Sequence, residues 1–274
     1  MKTPDDLEKL AELLDDENED VAINVIAALL DREDELGDLP GRLQEHPDPL
    51  VRRRAHQLQS AITFRSWRRE FAGLLEEDEP DFLTGLVMLH MLWFDRDSRS
   101  NVRTALNEFI AAAANENRQV DSLESARSFM CRNGFAAELE STIHPENYCI
   151  GTILTQRSGA GTLLMGLLKC MMPEPEKFQV VRFCGEFALF DGKSSILLGQ
   201  GDWRVCRISS VNDLEHFSLR DILHCAGNML FSSAVNSDSF RYVLTIAQAL
   251  SGDDSDRVLS ACPYPYNSAL PEQK

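Results

Sequence analysis

One β-rich stretch, residues 178–208, lies between segments with helical periodicity, and this order limits the fold more than any other feature of the chain. Residues 178–190 are rich in Val and Phe and end at Asp191-Gly192, a dipeptide typical of β-hairpins. Two further short strands, at 195–198 and 203–208, complete an antiparallel meander. Helices before and after these strands predict a mostly helical α+β fold with a small antiparallel sheet, rather than a parallel βαβ arrangement.

The composition excludes several classes of protein. A net charge of -17 over 274 residues argues against nucleic acid as a partner, since phosphate binding needs a basic surface. The acidic N-terminus does not have the basic and apolar regions of a signal peptide, and no run of about 18 apolar residues could cross a membrane. The seven cysteines form no CxxC motif and have no histidine at zinc-ligand spacing. We therefore expect free thiols in a cytoplasmic protein without a metal or other cofactor.

A weak internal repeat occupies the first 60 residues, where 13–29 and 43–59 align after a shift of thirty positions. In the second copy, Val51, Ala55 and Leu58 follow a Pro-Asp pair at the spacing of HEAT-type helical repeats. This spacing places all three on one helix face. Two repeats leave apolar faces uncovered, so the layer needs neighbouring elements for stability.

The charges in this region are unevenly distributed. Residues 1–40 hold fourteen acidic against three basic residues, whereas residues 42–69 hold seven arginines against two acids. One interpretation is an acidic helical layer that is compensated by a basic one. The other is a docking patch for an acidic partner. Its candidate residues are Arg52, Arg53, Arg54, Arg65, Arg68 and Arg69.

The segment 144–171, followed by 178–193, has the pattern that most suggests chemistry. A helix follows a glycine-rich turn, and the next strands carry a polar residue near mid-strand. Papain-like and transglutaminase folds place a thiol against an imidazole in this way, because the helix N-terminus lowers the thiol pKa and the strand histidine completes the ion pair.

The sequence here resembles the bacterial transglutaminase-like SirB-type family. Pro145, Asn147, Leu154, Arg157 and Gly159 match one of the family's segments, and the stretch Gly-Glu-Phe-Ala-Leu matches its Gly-His-Phe-Leu-Val strand. The resemblance covers roughly residues 80–256. It implies a transglutaminase-like core followed by a tetratricopeptide-like helical hairpin.

The departures from the family pattern remove the catalytic groups that the resemblance implies. Gly161 stands where a transglutaminase has its cysteine, and Glu186 stands where the strand histidine belongs. The third position falls near 198–201, where no aspartate occurs, and Asp202 is displaced towards the turn. Acyl transfer needs a nucleophile and a general base, so we predict a non-catalytic protein. The candidate cleft consists of Asn147, Tyr148, Arg157, Gly161, Cys184 and Glu186.

The leading hypothesis is therefore a protein-interaction or regulatory module with a protein partner. One alternative is a divergent hydrolase that uses Cys149, Cys184 or Glu186, including a Cys149–His144 dyad. Another is a protein that binds a small molecule in the vacated cleft. We expect His90, on an apolar helix, to be a core or helix-end histidine.

Four segments are predicted along the chain. They are a HEAT-like layer (1–75), a transglutaminase-like core (76–210), a helical hairpin (211–256) and an irregular tail (257–274). A third helix of the first layer is expected over 61–75. Capping-box spacing at Asp121/Glu124 and at Ser218/Asp221 predicts two further helix starts.

Overall fold

The computed structural model describes residues 4–115, 121–138, 144–183, 185–199, 202–207, 214–237 and 239–252. The chain divides into two compact units, Met1–Trp67 and Arg68–Lys274, so the first unit ends before the boundary predicted at residue 75. The tail predicted at 257–274 lies outside the described residues. Within the described part of the chain, no helix is long and apolar enough to cross a membrane.

Helices α1 to α3 and the first part of α4 build the first unit. They are α1 (Pro4–Glu12), α2 (Glu19–Leu30), α3 (Leu39–Gln44) and α4 (Pro49–Glu76). The predicted apolar face is confirmed, because Val51, Ala55 and Leu58 are buried in one core cluster. The separate helix expected from Ala61 is wrong. One helix of 28 residues runs through this point, since no proline follows Pro49 to interrupt its hydrogen bonds.

The second unit contains the remaining helices. They are α5 (Phe82–Trp93), α6 (Arg99–Asn115), α7 (Leu123–Arg132), α8 (Ile150–Gln156), α9 (Gly161–Met171), α10 (Leu219–Asn236) and α11 (Phe240–Ser251). Helix α5 is apolar on all sides and buried along most of its length, as expected for a central helix. The capping box of Ser218 and Asp221 is confirmed. The cap predicted at Asp121 is wrong, because Ser122 accepts the backbone hydrogen bond of Ser125 instead.

The strands of the second unit form two sheets in the described part of the chain. A parallel pair joins β1 (Ala136–Glu138) to β2 (Ser158–Ala160). A five-stranded antiparallel sheet has the order β6-β5-β4-β3-β7. Its strands are β3 (Gln179–Phe183), β4 (Glu186–Phe190), β5 (Ser194–Gly199), β6 (Asp202–Arg207) and β7 (Glu215–Phe217). The predicted class, mostly helical α+β with a small antiparallel sheet, is confirmed.

The stretch 178–190, predicted as one strand, is a hairpin of two strands. Gly185 has a φ of 86°, which a residue without a side chain adopts at no steric cost, and the chain reverses there. Glu186 consequently begins β4 and pairs with Phe183. The mid-strand position expected for Glu186 is therefore wrong.

Candidate functional site

The start of α9 has the backbone geometry that the sequence predicts. Helix α8 ends at Arg157, a left-handed residue with a φ of 59°. The chain then pairs with β1 through β2 and enters α9 directly at Gly161. Ala160, the N-cap residue, has no side chain that could accept a hydrogen bond from the first turn. The N-terminus of α9 thus presents its free amides and positive dipole end beside Gly161.

Gly161 is not required by packing. A methyl group added there would have no neighbour within 4 Å, whereas one added at Gly159 would lie 2.7 Å from Ile153 and one at Gly166 would lie 2.4 Å from Phe82. The space for a side chain at the helix start is therefore present, and the reactive group is absent. This position offers neither a nucleophile nor a proton acceptor.

Glu186 lies at the start of β4 on one face of the five-stranded sheet. By alternation it shares its face with Ala188 and Phe190, which cluster with Val181 and Leu214. Helix α9 packs on β3 and β4, yet this cluster includes no described residue of α9. The described contacts contain no hydrogen bond or ion pair between exposed Glu186 and the start of α9. The predicted pairing of Gly161 and Glu186 in one cleft has no support in the structure.

Of the other predicted cleft residues, two lie in a turn and Arg157 packs on aromatic rings. Asn147 and Tyr148 belong to a 3-10 turn, Pro145–Tyr148, in which Tyr148 is buried. The guanidinium of Arg157 lies 5.0 Å from the centre of the Phe135 ring and also faces Phe109, as in a cation–π contact. Cys184, the remaining candidate, lies outside the described residues.

Buried Cys149 and half-buried Cys170 are poor nucleophiles. Cys149 is completely buried, and burial, followed by the charges of Glu146 and Asp97, raises its pKa well above the ordinary value. His144 is exposed, so the proposed dyad would join a covered thiol to a surface imidazole. Burial likewise raises the pKa of Cys170 to about 12. Both thiols stay protonated near neutral pH, which opposes nucleophilic attack.

A cleft that the sequence did not predict lies beside His90. The His90 ring is buried in the last turn of α5, as expected, and its Nε2 lies 3.0 Å from Asp97 Oδ2. Burial lowers the pKa of His90, while Asp97 opposes this effect. Gly151 is necessary here, because an added methyl group would lie 2.7 Å from the imidazole Cε1. The sequence did not indicate this pair, because Asp97 lies seven positions after His90. It follows the end of α5, where helical periodicity no longer relates the two side chains.

This cleft, of about 430 Å³, has a mainly apolar lining with a few polar groups, and its lining includes no cysteine or serine. The Thr155 hydroxyl donates to the Gly151 carbonyl at 2.8 Å, and the Nδ1 atom of His90 is enclosed without a partner. A neutral imidazole whose Nε2–H donates to Asp97 fits these distances. The pair therefore acts as a structural link between the end of α5 and the following loop.

The arginines of the predicted docking patch are mostly used inside the first unit. Arg54 is wrong as a docking residue, because it is fully buried and its Nη1 donates to the carbonyls of Leu14, at 2.9 Å, and Asp16. Arg52 Nη1 donates to the carbonyls of His46 and Pro47, each at 2.7 Å.

The two other predicted patch residues of this unit also have partners within it. Arg53 pairs with Glu19 at 2.8 Å, and Arg65 donates to the Leu30 carbonyl at 2.7 Å. Arg68 and Arg69 belong to the second unit. The contacts agree with the interpretation in which basic residues compensate an acidic layer.

Among the described residues, no group of three or more His, Cys, Asp or Glu is arranged to hold a metal ion. No protein-family model matches the sequence, and comparisons with curated proteins and with solved structures find no significant match.

Proposed function

We propose that this protein is a non-catalytic interaction or regulatory module of the cytoplasm, built on a transglutaminase-like core whose reactive groups have been replaced. The observation that carries the proposal is the start of α9. A helix N-terminus suited to activating a thiol bears Gly161, although a side chain would fit there. Glu186, at the position of the base, shares its sheet face with residues that cluster without α9.

The alternative hydrolases have less support. Cys149 is held in the thiol form by burial, Cys184 lies outside the described residues, and Glu186 is exposed at the start of a strand without a described partner. An exposed carboxylate without a neighbouring acid or base does not activate water well at neutral pH. An interaction role needs none of these groups and suits a chain in which an acidic helical unit precedes the core.

The proposal is tested by incubating the full-length protein with a glutamine-containing peptide and a fluorescent amine, and separately with a fluorogenic peptide amide. We expect no transamidation or hydrolysis above the rate without protein. The matched controls are the Cys149→Ser, Cys184→Ser and Glu186→Gln variants, which remove the three alternative nucleophiles or bases one at a time. If the wild-type protein shows turnover and one of these substitutions abolishes it, the protein is an enzyme and the proposal is wrong.

A further inference from the structure

An acidic groove with an apolar floor crosses the first unit between α1 and α3. Its cavity volume is about 300 Å³, at the small end of the roughly 300–1,000 Å³ of small-molecule pockets, which suits the side chains of a docked segment. The floor consists of buried apolar residues. They are Ala11, Leu39, Leu43 and Val51.

One rim of the groove carries three carboxylates at helical spacing. Glu8 and Glu12 are one turn apart on α1, and Asp15 follows on the same side in the 3-10 turn after it. Glu8 pairs with Arg42 on the opposite rim at 3.1 Å. Among the described contacts, exposed Glu12 and Asp15 have no ion-pair partner, so their charges are available to a bound molecule.

We propose that this groove binds a basic segment of a partner protein, with lysine or arginine stems on the apolar floor and their cations at Glu12 and Asp15. Lys and Arg side chains can bury their methylenes while the charged end pairs with a carboxylate. The inference deepens the proposed interaction function and rests on it. This basic partner differs from the acidic one that the docking-patch interpretation of the arginines offered.

The negative charge of the first unit favours a basic segment over an acidic or a purely apolar one in the groove. The first unit, residues 1–67, holds sixteen acidic against eight basic residues, and the groove lining holds three carboxylates against one arginine, so an acidic peptide or a second copy of this face would be repelled. A purely apolar segment would leave the carboxylates of Glu12 and Asp15 without a counter-charge. A basic amphipathic segment can pack its apolar side chains on the floor and pair its cations with the rim carboxylates.

The experiment measures the binding of a fluorescent lysine–leucine peptide to the full-length protein by anisotropy, with a glutamate–leucine peptide of equal length as the control ligand. The test variant combines Glu12→Gln with Asp15→Asn. The control variant combines Glu17→Gln with Asp34→Asn, which removes the same charge at exposed positions that do not line the groove. Each exposed ion pair contributes up to about 1 kcal/mol, which is about fivefold in affinity.

We expect the lysine peptide to bind and the glutamate peptide not to bind. The groove variant should weaken binding by about fivefold to twentyfold and the control variant by less than about twofold. Equal losses in both variants would mean attraction by net charge alone and would overturn the inference, as would no binding to the wild type. If the binding experiment fails in one of these ways but the protein does not act on peptide amides, the proposed non-catalytic function still stands. If the protein does turn over peptide amides, the proposed function is wrong, whatever the groove binds.

Discussion

Placing a cysteine at position 161 tests whether the start of α9 is an activating position that has lost its side chain. A Cβ at Gly161 has no neighbour within 4 Å, so the Gly161→Cys variant should fold without strain. Replacing a glycine with a residue of higher helix propensity also favours the folded state slightly. We expect the free energy of unfolding to change by less than about 1 kcal/mol.

The expected reactivity follows from the helix dipole. A negative charge at a helix N-terminus is stabilised by about 0.3–1 kcal/mol, which raises the thiolate fraction near neutral pH by about twofold to fivefold. Gly73 provides a matched control, because it is exposed, has no neighbour within 4 Å and lies in the last turn of α4. The dipole at that end disfavours a thiolate, so the Gly73→Cys thiol should react more slowly.

The assay is alkylation by iodoacetamide across the pH range, followed by mass spectrometry of peptides so that each thiol is measured separately. Cys170, whose pKa is about 12, serves as an internal slow standard. Equal rates for Gly161→Cys and Gly73→Cys, or a loss of more than about 2 kcal/mol in stability, would refute this interpretation of the α9 N-terminus. Amide hydrolysis by Gly161→Cys is not expected, because no described imidazole contacts that position.

Two further predictions concern stability. Arg54→Leu should lower the free energy of unfolding, measured by urea denaturation, by about 2–4 kcal/mol, because buried carbonyls lose their charged donor. The control Arg53→Leu, at an exposed ion pair, should lower it by less than about 1 kcal/mol. Equal losses in the two variants would contradict the burial of Arg54. Burial also lowers the folded-state pKa of His90 below its ordinary value of 6.5, so the unfolded chain takes up the proton first and stability should fall as the pH drops below about 6.5. The His90→Gln variant should show a flatter pH dependence between about pH 7 and 5. An unchanged slope would assign the effect to other groups such as His224 on α10, whose pKa is also lowered by burial.

The local patterns of the sequence predicted the elements that depend on local physics. The spacing of Val51, Ala55 and Leu58 identified the buried face of α4, since residues three and four apart share a helix surface. The Ser218–Asp221 pair located the start of α10 because a capping box needs only four adjacent residues. The Asp191-Gly192 signal placed the turn between β4 and β5 for the same reason.

The sequence predictions were wrong where a side chain's contacts depend on residues far away in the chain. Nothing adjacent to Arg54 indicates that its guanidinium reaches the carbonyl of Leu14, forty positions away. The cation–π contacts of Arg157 and the link between His90 and Asp97 likewise depend on how helices pack. The hairpin at Gly185 had a local signal, the glycine itself, but the continuous apolar run around it imitated a single strand.

The sequence by itself determined the mostly helical α+β class, the absence of a side chain at Gly161 and the charge imbalance of the first unit. These follow from composition and short-range periodicity. Tertiary structure alone decided that Glu186 begins β4 on the sheet face of Ala188 and Phe190. It also decided that Arg54 is buried within the first unit and that Glu12 and Asp15 border an apolar groove. Side-chain burial and pairing depend on contacts between remote segments, which no local pattern encodes.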